Sequence, residues 1–144
     1  MKRKDPKYLY DHVMLLDDDE LANFINQKVM ESCYFSKKIY VNTSAKSALE
    51  FLNNLALLET EASNYFPEII FVDLNMPIMD GFQFIISLYK NKSKHLQNIK
   101  LVVLTSSVYE IDRQRAQEIS ENITFLNKPL TKEMLFEFAE KNKS

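Results

Sequence analysis

Ile69-Ile70-Phe71-Val72-Asp73-Leu74-Asn75-Met76-Pro77-Ile78-Met79-Asp80-Gly81 reads as an apolar strand, a turn and the start of a helix. Four apolar residues end in a carboxylate, and Pro77 and Gly81 then turn the backbone. Gly81 is the chain's only glycine. Asp80 followed by Gln83 has capping-box spacing, so a helix is expected over Gly81–Asn91. Ligands of open α/β sheets bind beyond the carboxyl ends of the strands, which puts Asp73 where chemistry is expected. Taken alone, the stretch also fits a plain strand–turn–helix junction carrying one acid.

Outward from this stretch, short apolar runs alternate with longer amphipathic ones. Strands are expected at His12–Leu16, Lys38–Val41, Ile69–Asp73, Lys100–Thr105 and Ile123–Asn127. Interiors such as Val13-Met14-Leu15-Leu16 and Leu101-Val102-Val103-Leu104 are continuously apolar, as in strands covered on both faces. Helices are expected between them. Leu21–Ser32 places Leu21, Phe24, Ile25, Val29 and Met30 on one side, and Ser44–Leu58 does the same with Ala45, Ala48, Leu49, Leu52 and Ala56. Val108–Ser120 is the most polar helix, and Thr131 is the expected N-cap of Lys132–Lys141. Glu59–Phe66 reads as a helix tail and surface loop. The βα unit repeated five times implies a doubly wound five-stranded parallel sheet with helices on both faces.

The 144 residues suffice for one domain with a substantial core. A net charge of −2 gives no electrostatic case for nucleic acid, so no DNA partner is expected. Lys2-Arg3-Lys4 lacks an apolar h-region and reads as a solvated tail. No apolar stretch reaches bilayer-spanning length, so no membrane association is expected. Cys33 is the only cysteine, which excludes an internal disulfide and a multi-cysteine zinc site and suits a reducing cytoplasm. One glycine cannot build a Gly-rich phosphate cradle of the Rossmann or P-loop type. His12 and His95 are isolated and read as surface residues.

Four strand ends supply reactive groups. The first ends in Asp17-Asp18-Asp19-Glu20, of which Asp19 and Glu20 read as a helix cap and first turn. Asp17 and Asp18 would stand beside Asp73 if the first and third strands are neighbours. Converging carboxylates repel unless paired or metal-bound, and Mg²⁺ suits such a set together with waters and a phosphoryl oxygen. Thr105 ends the fourth strand with a hydroxyl, and Lys128, held before Pro129, ends the fifth with an ammonium. Acids, hydroxyl and cation facing one crevice make a kit for phosphoryl transfer, in which the carboxylate attacks and metal and lysine neutralise charge.

These features, in this order, resemble a response-regulator receiver domain of two-component signalling: Asp17-Asp18, Asp73 within D-L-N-M-P-x-M-D-G, Thr105, Phe125 and Lys128-Pro129. The match runs from about Asp11 to Lys141, and no motif residue is missing. The resemblance implies a flavodoxin-like fold, a tail over residues 1–10 and a receiver over 11–144. It also implies that Asp73 is the phosphoacceptor, and that Asp18, Asp73 and the Asn75 backbone carbonyl bind Mg²⁺, with Asp17 acting largely through water. Thr105 and Lys128 would contact the phosphoryl group, Thr105 and Phe125 would form a switch, and the Lys128–Pro129 bond would be cis. Two departures stand out. The gap from Asp18 to Asp73 is long, with the excess assigned to the second helix and Glu59–Phe66. The switch aromatic is phenylalanine, so its gating must be apolar packing.

The favoured function is a stand-alone receiver, not an enzyme in its own right, phosphorylated by a sensor histidine kinase or a histidine phosphotransfer protein. Its output would be a protein contact through the Val108–Lys141 face, with Tyr109, Ile111 and Arg113 as the first residues to test. A phosphorelay intermediate is the alternative within that class. Two other classes compete: a Mg²⁺-dependent phosphatase of the haloacid-dehalogenase type, which would want an acid where Asn75 stands, and a phosphate-independent binding module.

Overall fold

The computed structural model of the protein describes residues 6–58, 64–106, 110–119 and 123–142. In chain order these form β1 (Tyr10–Leu16), α1 (Glu20–Ser32), β2 (Ser36–Asn42), α2 (Ala45–Leu58), β3 (Ile69–Asp73) and α3 (Gly81–Lys90). Then follow α4 (Lys94–Gln97), β4 (Lys100–Thr105), α5 (Glu110–Ile119), β5 (Thr124–Asn127) and α6 (Lys132–Lys141). All strand pairs are parallel, in the order β2-β1-β3-β4-β5. The chain crosses from β2 over β1 to β3, so the order reverses between β1 and β3 and a crevice opens at their carboxyl ends.

Side-chain alternation sorts the core into two layers. Met14, Leu16, Ile70, Val72, Leu101 and Val103 point to one face, where α2, α3 and α4 cover them with Leu52, Leu55, Phe82, Ile85, Leu88 and Leu96. Val13, Leu15, Ile69, Phe71, Val102 and Leu104 point to the other, under α1 and α6. Burying each large apolar side chain contributes about 1.5–3 kcal/mol, which is why β3, buried throughout, reads as an unbroken apolar run. Local signals end the helices as expected. Asp80 and Gln83 form a reciprocal capping box on α3, and Thr131 accepts from the Met134 amide at the start of α6.

The sequence misleads most at α1. Of its expected core face, Leu21, Phe24 and Ile25 are exposed, at 65%, 55% and 47%, while Met30 is buried as expected and Val29 is partly buried; Asn23 and Asn26 are buried in place of the exposed residues. The space beneath α1 is filled from elsewhere. Phe35, from the turn after α1, is fully buried, and its ring lies 5.0 Å from Tyr10 and 6.0 Å from Phe71. The helix therefore rolls onto its Asn23–Asn26–Met30 stripe. Smaller differences follow from length. Helix α4 has four residues, too few to show a period, and was not expected. Strand β2 extends to Ser36 and Asn42, and β5 starts at Thr124, one residue later than expected. In α2, Leu55 is buried beside Ala45, Ala48 and Leu52, while Leu49 and Ala56 are only partly buried. His12 is not isolated but half-buried, stacked on Tyr40 at 5.6 Å, and the exposed His95 stacks on Phe66 at 4.9 Å. Residues 59–63, 107–109 and 120–122, and with them Tyr109 and part of the Glu59–Phe66 loop, lie outside the described residues.

Candidate functional site

Asp73 ends β3, 6% exposed, at the mouth of the crevice. The loop after it is held by backbone. The Gly81 amide donates to the Leu74 carbonyl at 3.0 Å. A Cβ on Gly81 would lie 2.5 Å from the Asp73 carbonyl oxygen and 2.8 Å from Leu74 Cα, so no side chain fits there. Within the loop the Met79 amide donates to the Pro77 carbonyl at 2.8 Å across Ile78, which sits at a φ of 69° and is fully exposed. This is a γ-turn in the strained, left-handed sense.

Across the crevice, β1 leads into α1 through three acids with different partners. Asp17 is 4% exposed, and its Oδ1 accepts from the Asp19 amide at 2.9 Å. Asp19 caps α1, accepting from the Leu21 and Ala22 amides at 2.9 and 3.3 Å. Asp18 is exposed, and no donor among the described residues holds its carboxylate. Asp17, Asp18 and Asp73 can each offer an oxygen such that the three lie within 4.8 Å of one another.

Lys128 follows β5, and the Lys128–Pro129 bond is cis. The Lys128 amide donates to the Thr105 carbonyl at 2.9 Å, tying the ends of β5 and β4. Its ammonium donates to Asp17 Oδ2 at 2.6 Å and lies 3.5 Å from Asp73 Oδ1, so Asp17 is the tighter partner. Burial, then repulsion from Asp17, pushes the Asp73 carboxyl above its ordinary range against the pull of Lys128 and the Asn75 amide. Burial opposes the Lys128 charge, but the Asp17 hydrogen bond and both carboxylates outweigh it and raise its pKa. Three acids and one ammonium leave an excess of negative charge on oxygen ligands. That donor set fits a hard divalent cation.

Thr105 ends β4, 1% exposed, and Phe125 lies on β5. Register pairs Val103 with Phe125 and Thr105 with Asn127, so Thr105 and Phe125 project to the same side of the sheet, over the layer under α2 and α3. Asp17, Asp73 and Lys128 thus meet in one cluster with Asp18, and Thr105 stands at the same edge. Asn75 is exposed, with its amide on the Asp73 carboxylate. One residue escaped the sequence reading. Asn23, buried on α1, donates through Nδ2 to the Asp17 carbonyl at 2.8 Å. Its only signal in the sequence is an i, i+3, i+7 stripe with Asn26 and Met30, of which Met30 alone is apolar.

Comparison with known proteins decides the family, since the response regulator receiver domain model matches residues 13–140. The chain belongs to that family. Receivers work in two-component signalling, where phosphorylation by a histidine kinase is their general function, and they are signalling domains and not a classical enzyme family. They bind a divalent metal in the acidic pocket. The chain is similar to the Helicobacter pylori sensor histidine kinase CheAY, at 31% identity over 85% of this chain and 14% of that protein. The response regulator Rcp1 of Synechocystis is 26% identical over 76% of this chain and 71% of its own length. The chain spans only 14% of CheAY and 8% of another curated relative, the hybrid signal transduction histidine kinase L of Dictyostelium discoideum. A two-component response regulator from Cytophaga hutchinsonii superposes with a TM-score of 0.73 at 30% identity, covering 92% of this chain and 98% of that one. A Mn²⁺-bound form of Rcp1 does so at 0.67 and 25% identity, covering 91% and 90%. No helix among the described residues is long and apolar enough to cross a membrane.

Proposed function

We propose that this receiver accepts a phosphoryl group on Asp73 from a sensor histidine kinase or histidine phosphotransfer protein, in a Mg²⁺-dependent reaction, and thereby switches a protein contact. The observation that carries this reading is the convergence of Asp17, Asp18 and Asp73 with Lys128 bonded to two of them. Asp18, Asp73 and the Asn75 carbonyl would hold the cation, with Asp17 mainly through water. When bound it supplies positive charge to the phosphoryl oxygens. An Asp73 carboxylate oxygen forms the new O–P bond as the donor's bond to phosphorus breaks. The Lys128 ammonium, already between Asp17 and Asp73, turns to a phosphoryl oxygen, and the Thr105 hydroxyl donates to another.

The exposed Leu21, Phe24 and Ile25 follow directly on the Asp17–Asp19 turn and give a phosphodonor an apolar surface beside the acceptor. Output would run through Thr105 and Phe125 to the Val108–Lys141 face. Drawing Thr105 toward the phosphoryl group frees space on the side of the sheet that Phe125 shares, a local charge event biasing a packing element. The switch would span the receiver at residues 11–144 and work in the cytoplasm.

Intact-mass measurement after acetyl phosphate treatment tests the proposal. The expected result is one phosphoryl adduct that needs Mg²⁺ and is lost in Asp73→Asn; an adduct that survives Asp73→Asn overturns it. Asp18→Ala should weaken Mg²⁺ binding more than Asp19→Ala, because Asp19 is committed to the α1 cap. Amide shifts with beryllofluoride should reach Phe125 and α5. If they stay around Asp73, the protein is a phosphate carrier in a relay.

A further inference from the structure

Asn23 occupies a position where α1 would ordinarily put an apolar side chain. It is 2% exposed, on the stripe facing the sheet. Its Nδ2 donates to the Asp17 carbonyl at 2.8 Å and approaches the Asn42 carbonyl at 3.5 Å. Two carbonyl neighbours fix the orientation of the amide, since only its NH₂ end can serve both. Its Oδ1 is buried and has no donor among the described residues. Buried polar atoms are nearly always satisfied, so α1 keeps a polar group at a cost while Leu21, Phe24 and Ile25 stay in solvent.

We infer that Asn23 is a positioning residue for the metal-binding acids, acting through the Asp17–Asp18 peptide; this rests on the reading of the acidic cluster as a cation site. The β1–β2 ladder ends at the Leu16–Asn42 pair. Beyond it the Asp17 amide donates to the Asn42 carbonyl at 3.2 Å, and Asn23 grips the Asp17 carbonyl from the helix side. The peptide unit is planar, so holding that carbonyl sets the plane from which Asp18 departs. The Asp17 carboxylate has its own anchors in the Asp19 amide and Lys128. The Asp18 carboxylate has none among the described residues, so its aim is set by its backbone, and Asn23 sets that backbone. Mutating residues that orient ligands without touching the metal typically costs about 10–100-fold in metal affinity or activity.

Mn²⁺ binding, followed by the electron paramagnetic resonance of the free ion, tests this in the full chain. Asn23→Leu removes the donor at similar volume and should weaken Mn²⁺ binding roughly 10-fold. Its acetyl phosphate reaction should return toward the wild-type rate at saturating Mg²⁺, a rescue that a merely structural defect would not show. Equal Mn²⁺ affinity in wild type and Asn23→Leu overturns the inference and leaves the proposed function standing. A wild type that binds no Mn²⁺ overturns both. If Asn23→Leu does not fold, the wild type still answers. The Asn23 side-chain amide protons should exchange slowly and shift on Mg²⁺ addition together with the Asp18 amide. Rapid exchange, or an Asp18 shift without an Asn23 shift, overturns the inference.

Discussion

Two β-to-α junctions flank the crevice, and they are built in opposite ways. The β3–α3 junction is long and, apart from the Asp80–Gln83 box that caps α3, held by backbone. Gly81 packs against the Asp73 carbonyl, its amide bonds Leu74, and α3 then buries Phe82, Phe84, Ile85 and Leu88. The β1–α1 junction is short and held by side chains. Asp17 takes the Asp19 amide, Asp19 caps the helix, Asn23 ties back to Asp17, and α1 turns Leu21, Phe24 and Ile25 to solvent. The first arrangement fixes the proposed phosphoacceptor by close packing. The second leaves Asp18 and an apolar helix face accessible, which suits a cation and a visiting protein.

The largest effect is expected at the buried face of α3. Leu88→Ala should cost about 2–5 kcal/mol in urea unfolding, because α3 closes one core layer. Gly81→Ala should cost about 1–3 kcal/mol through forced backbone movement, and should slow acyl-phosphate formation, since the displaced atom is the Asp73 carbonyl. Asp19→Ala, which removes a cap from α1, should cost about 1 kcal/mol and leave phosphorylation by acetyl phosphate nearly intact.

Asp73→Asn probes the charge cluster itself. The folded state raises the Asp73 pKa, so its ionised form is unfavourable at neutral pH and that cost fades as pH falls through the raised value. Melting of chelator-treated protein should show Asp73→Asn more stable at pH 7, with the gain gone in acid below the ordinary carboxylate range. A gain that is flat across pH would show that repulsion in the cluster is not its source. The smallest effect is expected at Phe24→Ser, within about 0.5 kcal/mol of wild type. Its phosphorylation by a kinase should fall while that by acetyl phosphate does not. A large loss of stability would place Phe24 in the core and erase the contrast between the junctions.

What could be read in the sequence follows the range of the forces involved. Strands covered on both faces are continuous apolar runs, and the Asp80–Gln83 box and the Thr131 cap are local signatures within one turn. The strand-end residues Asp17, Asp73, Thr105 and Lys128 were visible because a doubly wound sheet sends every carboxyl edge to one side. The roll of α1 was not visible, because it depends on Phe35 filling the space below it. Asn23 was hidden for a related reason. Its meaning lies in a bond to a strand end six residues back and in a carbonyl on β2. Helix α4 is shorter than a single period can reveal.

The pleat of the strands has a further consequence. Asp17, Asp73 and Lys128 continue the parity of the layer beneath α1 and α6, while Thr105 and Phe125 continue that of the layer beneath α2 and α3. The sheet is therefore a partition, with the proposed reagents on one side and the proposed reporters on the other. Thr105, at the rim, belongs to both compartments. Substitutions could retune how long the acyl phosphate lasts without altering what is heard across the wall, and the message could be rewritten with the chemistry untouched.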